Sequence, residues 1–258
     1  MEKESYDHGV PSWVDLGTPD LEKAVAFYSG LFGWDVQQGP PEAGGYAIAQ
    51  LRGRAVAGLG PLQNPGPPVW TTYVNVGDAD DVAVKVKANG GQLLMDPFDV
   101  LDVGRMALFA DPSGAVLGVW QPRAHKGAGL VDEPGTYCWS ELVTTDVAGA
   151  KEFYRAVFGW GAEDYGPPGP GGYAEWRLGG HSVGGMMAKP DTVPAEVPPH
   201  WMVYFAVTDA DGAVDTIGRL GGSVVMEPHD IEPGRFAIVS DPAGTAFSVI
   251  ALKEGLGT

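Results

Sequence analysis

The chain has 258 residues, enough for one or two ordinary domains, and its composition is globular: 44% hydrophobic and 19% charged, with 39 glycines and 22 prolines spread through many turns. Basic residues number 16 against 33 acidic ones, a formal net charge of −17, and that field argues against nucleic acid and anionic membranes as partners. The one cysteine, Cys138, has no internal disulfide partner, the N-terminus lacks an apolar signal core, and no apolar run reaches membrane-spanning length, so a soluble cytoplasmic protein is expected.

In chain order, the first expected element is a strand over Trp13–Leu16. A helix follows over Pro19–Phe32, with Thr18 as N-cap, Pro19 in the first turn and Gly33 as the stop. Leu21, Val25, Tyr28 and Phe32 share one face of it. Three short strands come next, near Trp34–Gln37, Tyr46–Leu51 and Ala55–Leu59. A second unit repeats the order: strand Trp70–Val76, helix Ala79–Ala88 ended by Asn89-Gly90-Gly91, then strands near Leu93–Met95, Arg105–Ala110 and Val116–Trp120. The turn Asp111-Pro112-Ser113-Gly114 joins the last two strands. Pro122–Pro134 has the composition of a linker, and after it the pattern starts again.

That second start is a duplication. Trp13, Asp20, Phe27-Tyr28 and Phe32-Gly33-Trp34 recur as Trp139, Asp146, Phe153-Tyr154 and Phe158-Gly159-Trp160, each 126 positions later. Gly44-Gly45-Tyr46 recurs as Gly171-Gly172-Tyr173. Trp70, Tyr73, Asp78, Gly90-Gly91 and Met95 recur as Trp201, Tyr204, Asp209, Gly221-Gly222 and Met226. Gly104-Arg105 and Asp111-Pro112 recur as Gly234-Arg235 and Asp241-Pro242. The offset changes only within loops, where insertions are tolerated. The expected organisation is a first domain over 8–122, a linker over 123–134 and a second domain over 135–253.

Four βαβββ units in tandem pairs, with the Phe-Tyr…Phe-Gly-Trp helix ends, the Gly-Gly after each second helix and the Asp-Pro-x-Gly turns, resemble the vicinal oxygen chelate superfamily of glyoxalases, bleomycin-resistance proteins and extradiol dioxygenases. The likeness is greatest to two-domain actinobacterial members, a group that includes a mycobacterial 27 kDa antigen and proteins described as hydroxylases. The resemblance implies an α+β fold, a tandem duplication of a glyoxalase-like domain. Its four units would form curved mixed sheets that hold a ligand on the concave face and carry the helices on the convex face.

Strand alternation separates the two faces. It assigns Trp13 and Asp15, Thr71, Tyr73 and Asn75, and Val116, Gly118 and Trp120 to the first cleft. To the second it assigns Tyr137, Trp139 and Glu141, Met202, Tyr204 and Ala206, and Ala246, Ser248 and Ile250, leaving Cys138 on the helix side. A slip of one residue would reverse any of these sets. Each cleft then has aromatic walls, and glycines at 58, 118 and 185 leave volume for a flat or bulky organic ligand.

Asp15 and Glu141 are equivalent acids, one per cleft, each two residues after a Trp; against an aromatic wall such an acid suits a general base, or it is a structural acid. Arg105 and Arg235 are candidate anion anchors, with a structural ion pair as the alternative. The resemblance also implies metal ligands, usually His or Glu, at one point on each of four strands. Those points fall at Trp13, Gly58, Thr71 and Gly118, and at Trp139, Gly185, Met202 and Ser248, none of which suits a divalent ion. No metal cofactor is therefore expected; the alternative is a relocated site drawn from Glu141, His181, His200 and His229.

The expected function is to bind or transform an aromatic or polycyclic small metabolite without the usual family metal. One alternative is a metal-dependent glyoxalase, hydroxylase or dioxygenase-type enzyme with relocated ligands; another is a non-catalytic interaction protein with vestigial clefts. As an enzyme it would be a lyase, isomerase or hydroxylase. A monomer with pseudo-dimeric halves is expected, and the loops Gly166–Gly172 and Lys189–Pro199 either cover the second cleft or are inert turns.

Overall fold

A computed structural model describes residues 1–62, 66–166 and 172–253, which leaves most of the Gly166–Gly172 loop outside the described residues. The first half runs β1 (Pro11–Thr18), α1 (Leu21–Phe32), β2 (Asp35–Gln38), β3 (Ala47–Leu51), β4 (Arg54–Pro61), β5 (Val69–Asn75), α2 (Ala79–Ala88), β6 (Gln92–Val100), β7 (Gly104–Ala110) and β8 (Val116–Pro122). The second half repeats it as β9 (Tyr137–Thr144), α3 (Val147–Phe158), β10 (Gly161–Tyr165), β11 (Tyr173–Leu178), β12 (His181–Ala188), β13 (His200–Ala206), α4 (Ala210–Arg219), β14 (Ser223–Ile231), β15 (Gly234–Ser240) and β16 (Ala246–Leu252). Each half forms one eight-stranded mixed sheet, ordered β2-β3-β4-β1-β5-β8-β7-β6 and β10-β11-β12-β9-β13-β16-β15-β14. Among the described residues no helix is long and apolar enough to cross a membrane.

The first helix starts two residues later than expected, whereas α2 spans the expected Ala79–Ala88. Asp20, not Thr18, caps α1 by accepting from Lys23 N, and Thr18 Oγ1 accepts from Asp20 N one step upstream. Asp146 and Thr144 repeat the arrangement before α3. A carboxylate meets the free N–H groups and the positive end of the helix dipole better than a threonine hydroxyl would. At the other end Gly33 and Gly159 stop their helices in the left-handed conformation, as the sequence leads one to expect.

The core lies where the halves interlock. Phe27, Tyr28 and Phe32 of α1 pack with Phe205, Ile217 and Phe247 of the second half, and Phe153 and Phe158 of α3 pack with Val86 and Phe109 of the first. Two reciprocal hydrogen bonds cross this interface: Tyr28 OH donates to Asp241 Oδ2 at 3.2 Å, and Tyr154 OH donates to Asp111 Oδ2 at 3.0 Å. The other oxygen of each aspartate holds its own Asp-Pro-x-Gly turn, Asp111 Oδ1 accepting from Ser113 N and Ala115 N. Trp34 and Trp160 reach across as well, donating to Gly135 O and Gly9 O, each at 2.7 Å.

The segment between the halves is not a free tether. Ala128, Leu130 and Val131 are buried, Ala128 N donates to Ser12 O and Gly129 N donates to Ala55 O. Its glycines and prolines let it lie close against the sheet rather than loosen it. The strand after α2 also runs further than expected, over Gln92–Val100, with irregular pairing to β7 beside Met95 and Phe98.

Tyr28 OH also accepts from Trp70 Nε1 at 2.9 Å, so Tyr28→Phe strands one buried donor and one buried acceptor. It is expected to lower stability by about 1–3 kcal/mol, read as a fall in the urea midpoint of a transition that stays single. Two separated transitions, one per half, would contradict the interlock.

Candidate functional site

On β1, Val14 and Leu16 are sunk against the helices, which turns Trp13 and Asp15 to the opposite face. The strand register there pairs Asp15 with Gly58 of β4 and Thr71 of β5, and Tyr73 with Trp13 and with Gly118 of β8. Trp13 Nε1 donates to Tyr46 OH at 2.9 Å, and Tyr46 OH donates to Asp15 Oδ2 at 3.1 Å. Tyr73 is a second phenol on the same carboxyl. The indole fixes the direction of the chain: with its N–H on the Tyr46 oxygen, the single phenol proton is free to point at the carboxylate.

The second half builds the same cluster. Glu141 pairs in register with Gly185 and Met202, and Tyr204 with Trp139 and Ser248. Trp139 Nε1 donates to Tyr173 OH at 3.0 Å, Tyr204 OH donates to Glu141 Oε1 at 3.1 Å, and Tyr173 is the other phenol on Glu141. Tyr46 and Tyr173 are the residues that sequence reasoning missed as site members. Their signal was present in the repeated Gly-Gly-Tyr, but reading its role needs the neighbouring strand.

The glycines expected to leave ligand volume serve these tyrosines instead. A Cβ on Gly58 would stand 1.8 Å from Tyr46 OH, one on Gly185 would stand 2.1 Å from Tyr173 OH, and one on Gly118 would meet the Tyr73 ring at 2.3 Å. No larger residue fits at these positions without displacing a phenol.

Burial pushes both acids up to about 7, and the phenol hydrogen bonds work in the opposite direction. The same burial, reinforced by the carboxyl charge, raises Tyr46, Tyr73 and Tyr204 well above the ordinary phenol range, so they stay protonated donors. Each cluster is thus one carboxyl poised to gain or lose a proton near neutrality, held by two fixed donors.

The remaining expected site residues separate. Trp120 Nε1 donates to His125 O, and the His125 ring sits edge-on to Trp13 at 4.4 Å and near Trp120 at 5.6 Å, inside the first cleft. Burial holds His125 down to about 4, hence neutral. It has no counterpart in the repeat comparison and was not foreseen. Asn75 Nδ2 donates to the carbonyls of Tyr6 and Asp7, tying down the N-terminal segment. Arg105 makes a bidentate pair with Asp80 in the first turn of α2 and a further one with Asp99; Arg235 does the same with Asp211 of α4 and Asp230. Both guanidiniums tether strand to helix, the ion-pair alternative rather than a free anion anchor.

Tyr137 and Cys138 trade places relative to expectation. The pairing of β9 with β13 skips a residue, so that Phe205 faces Tyr137 and Tyr204 faces Trp139. This bulge at Cys138 sends the Tyr137 hydroxyl to Ser140 Oγ, 3.1 Å away and on the opposite face from Trp139 and Glu141. Cys138 instead packs with Met202, Tyr204, Phe236 and Ile250 on the cleft side, and burial raises its thiol well above the usual range. Met202 and Ser248 lie on the floor beside Glu141 and Tyr204.

The eight positions at which the resemblance implies metal ligands carry indole, glycine, hydroxyl and thioether groups, which do not fit a divalent ion. Nor do the candidates for a relocated site converge: His200 Nδ1 lies 2.9 Å from Pro198 O, the His229 ring sits tilted against Phe236 at 4.3 Å, and His181 is exposed at the start of β12. Among the described residues no three His, Cys, Asp or Glu side chains gather as a metal site would require.

Residues 11–119 and 138–249 each match the model of the glyoxalase/bleomycin resistance protein/dioxygenase superfamily. Over 256 residues, 96% of this chain and 97% of the relative, the sequence is 44% identical to CFP32 of Mycobacterium tuberculosis, a protein described provisionally as a glyoxylase. It is 40% identical to the anthracycline biosynthesis protein DnrV of Streptomyces peucetius, covering 96% of this chain and 94% of that one. In fold it resembles the 2,3-dioxygenase LapB of Pseudomonas sp. KL28, with a TM-score of 0.67 at 16% identity over 94% of this chain and 92% of that one. A Mn(II)-bound glyoxalase from Novosphingobium aromaticivorans gives 0.65 at 17% identity, over 96% of this chain and 84% of that one.

A carboxyl whose folded pKa lies above its unfolded value binds its proton more tightly in the folded chain. The stability this gives is present at low pH and is lost as pH rises from the ordinary range, about 4, to about 7. Measured against Glu141→Gln, which cannot titrate, the native protein is expected to lose stability across that window and level off above it. A urea-midpoint difference that stays flat with pH would show that folding leaves the Glu141 carboxyl unshifted.

Proposed function

The chain belongs to the glyoxalase/bleomycin resistance protein/dioxygenase superfamily, and on that footing we propose that it is a small-molecule pocket protein for a flat aromatic or polycyclic metabolite, working without a divalent metal. The observation that carries this reading is the indole–phenol–carboxyl cluster, built twice in register on the strands that bear the family's ligand points. Aromatic side chains wall both clefts, and such walls take planar ligands by stacking. The kinship with DnrV, whose name places that protein in anthracycline biosynthesis, favours a fused-ring aromatic over a small aliphatic substrate.

In whichever cleft holds the ligand, the cluster carboxyl, Glu141 or Asp15, is the group that acts on it. A carboxyl near its pKa at neutral pH takes a proton from an acidic ligand C–H or O–H and returns it elsewhere. The two phenols then donate to the carboxylate, and the water-poor surroundings keep the exchange with the ligand. Positioned general acid–base groups contribute roughly 10²–10⁴-fold in rate. Both halves lie in one chain, so the protein works as a monomer.

Elemental analysis of protein purified without chelator or nickel affinity is expected to find no stoichiometric Fe, Ni, Zn or Mn, and addition of each ion should leave ligand affinity unchanged. Titration with a hydroxyanthraquinone is expected to quench tryptophan fluorescence and saturate. Glu141→Ala together with Asp15→Ala should abolish any turnover of a ligand that is transformed while leaving binding within a few-fold. Stoichiometric metal, or binding that appears only with metal, would overturn the reading.

A further inference from the structure

The two clusters are alike, but the ground beside them is not. In the first half, the segment Gly129–Pro134 lies directly on the β3–β4 hairpin: Gly129 N donates to Ala55 O at 2.7 Å, and Arg52 pairs with Glu133. Arg54 of the same hairpin is held by Glu2 and Glu4 of the N-terminus. His125 completes the cover, and Trp13 beneath it is only 4% exposed.

The repeat maps that segment onto residues 3–8 and that hairpin onto the β11–β12 hairpin. In the second half the two walls meet where a Cβ on Gly9 would stand 2.9 Å from Leu178 and part beyond that point, Lys3 N donating to Gly129 O rather than to the hairpin. Between them lies a groove of about 830 Å³, bounded by Lys3, Asp7 and His8 on one side and His181 and Ser182 on the other. Asp132, with its carboxyl pushed up to about 6 by burial, also lines it. Its inner end is formed by Cys138 and Trp139. Trp139 is half-buried where Trp13 is covered, and its indole is the residue that donates to Tyr173 in the Glu141 cluster. One side chain is thus shared by the groove and the second cluster.

We propose that this groove is the entry and recognition site of the second half. It seats the polar-substituted end of the ligand among its mixed charged and hydroxyl groups, with the aromatic nucleus reaching Trp139 and Glu141. The first cleft, closed by His125 and by the chain between the halves, takes no ligand. The inference rests on the aromatic-pocket reading and adds which half works and by what route.

The test is calorimetric titration of the full-length protein with alizarin, a dihydroxyanthraquinone. One equivalent per chain is expected. Ser5→Trp and His181→Trp, on opposite walls of the groove and both at exposed positions, should each weaken binding tenfold or more. Asp35→Trp, at an exposed position on β2 of the first half and away from the groove, should leave it unchanged; thermal unfolding verifies that each variant is folded. Two equivalents per chain, or affinity indifferent to both groove variants, would overturn this inference while leaving the pocket reading intact. Failure of the native protein to bind alizarin or other hydroxyanthraquinones at all would overturn both.

Discussion

The phenol–carboxylate exchange between halves, Tyr28 to Asp241 and Tyr154 to Asp111, is the constraint from which the rest of the architecture follows. Each aspartate opens a turn between two strands and, with its second oxygen, accepts from a helix of the other half. Turn and interface are therefore one interaction, and neither half is complete without the other. Because the helices are consumed in this junction, each cluster, Trp13 with Asp15 and Trp139 with Glu141, is built on the strands of its own sheet. The duplicated scaffold thus holds two separate sites rather than one shared one.

Within each site the controlling constraint is space. A phenol reaches the carboxyl only because the residue beneath it is glycine, Gly58 under Tyr46 and Gly185 under Tyr173. The glycine, the tyrosine and the acid form a unit in which no member can be changed alone at small cost: a larger residue at 58 or 185 expels the phenol, and loss of the phenol leaves a buried acid short of a donor. Burial raises the acid and the hydrogen bonds restrain the rise, and the balance lands near neutrality in both halves although one acid is Asp and the other Glu. The longer Glu141 side chain keeps the same partners by taking its 3.1 Å bond from Tyr204, where Asp15 takes its own from Tyr46.

Much of this was legible from residues. Repetition at a fixed offset reveals the duplication, and alternation places Trp13 and Asp15 correctly because β1 is regular from Trp13 onward. Alternation fails at Tyr137 and Cys138 for a definite reason: the bulge inserts one unpaired residue, and nothing in Tyr-Cys-Trp marks it. The arginines were ambiguous because Gly-Arg at a strand start is compatible with anion binding, and the acids that occupy them, Asp80 and Asp211, sit on helices about 25 residues away. Glycines 58, 118 and 185 were read as empty volume because a sequence shows that a side chain is missing but not which neighbour fills the gap.

His125 escaped for a different reason, and that reason bears on how the halves diverge. Comparison of a chain with itself detects what is duplicated and is blind to what occurs once. The segment between the halves lies outside the repeated pattern. That segment supplies His125 to the first cleft, Ala128 and Leu130 to its buried margin, and Asp132 to the groove of the second. Duplication makes two equal scaffolds, whereas a single connecting segment must lie against them unequally. One site is covered by the connection and the other is left beside an open groove, so the asymmetry follows from covalent linkage before any side chain in either cluster differs.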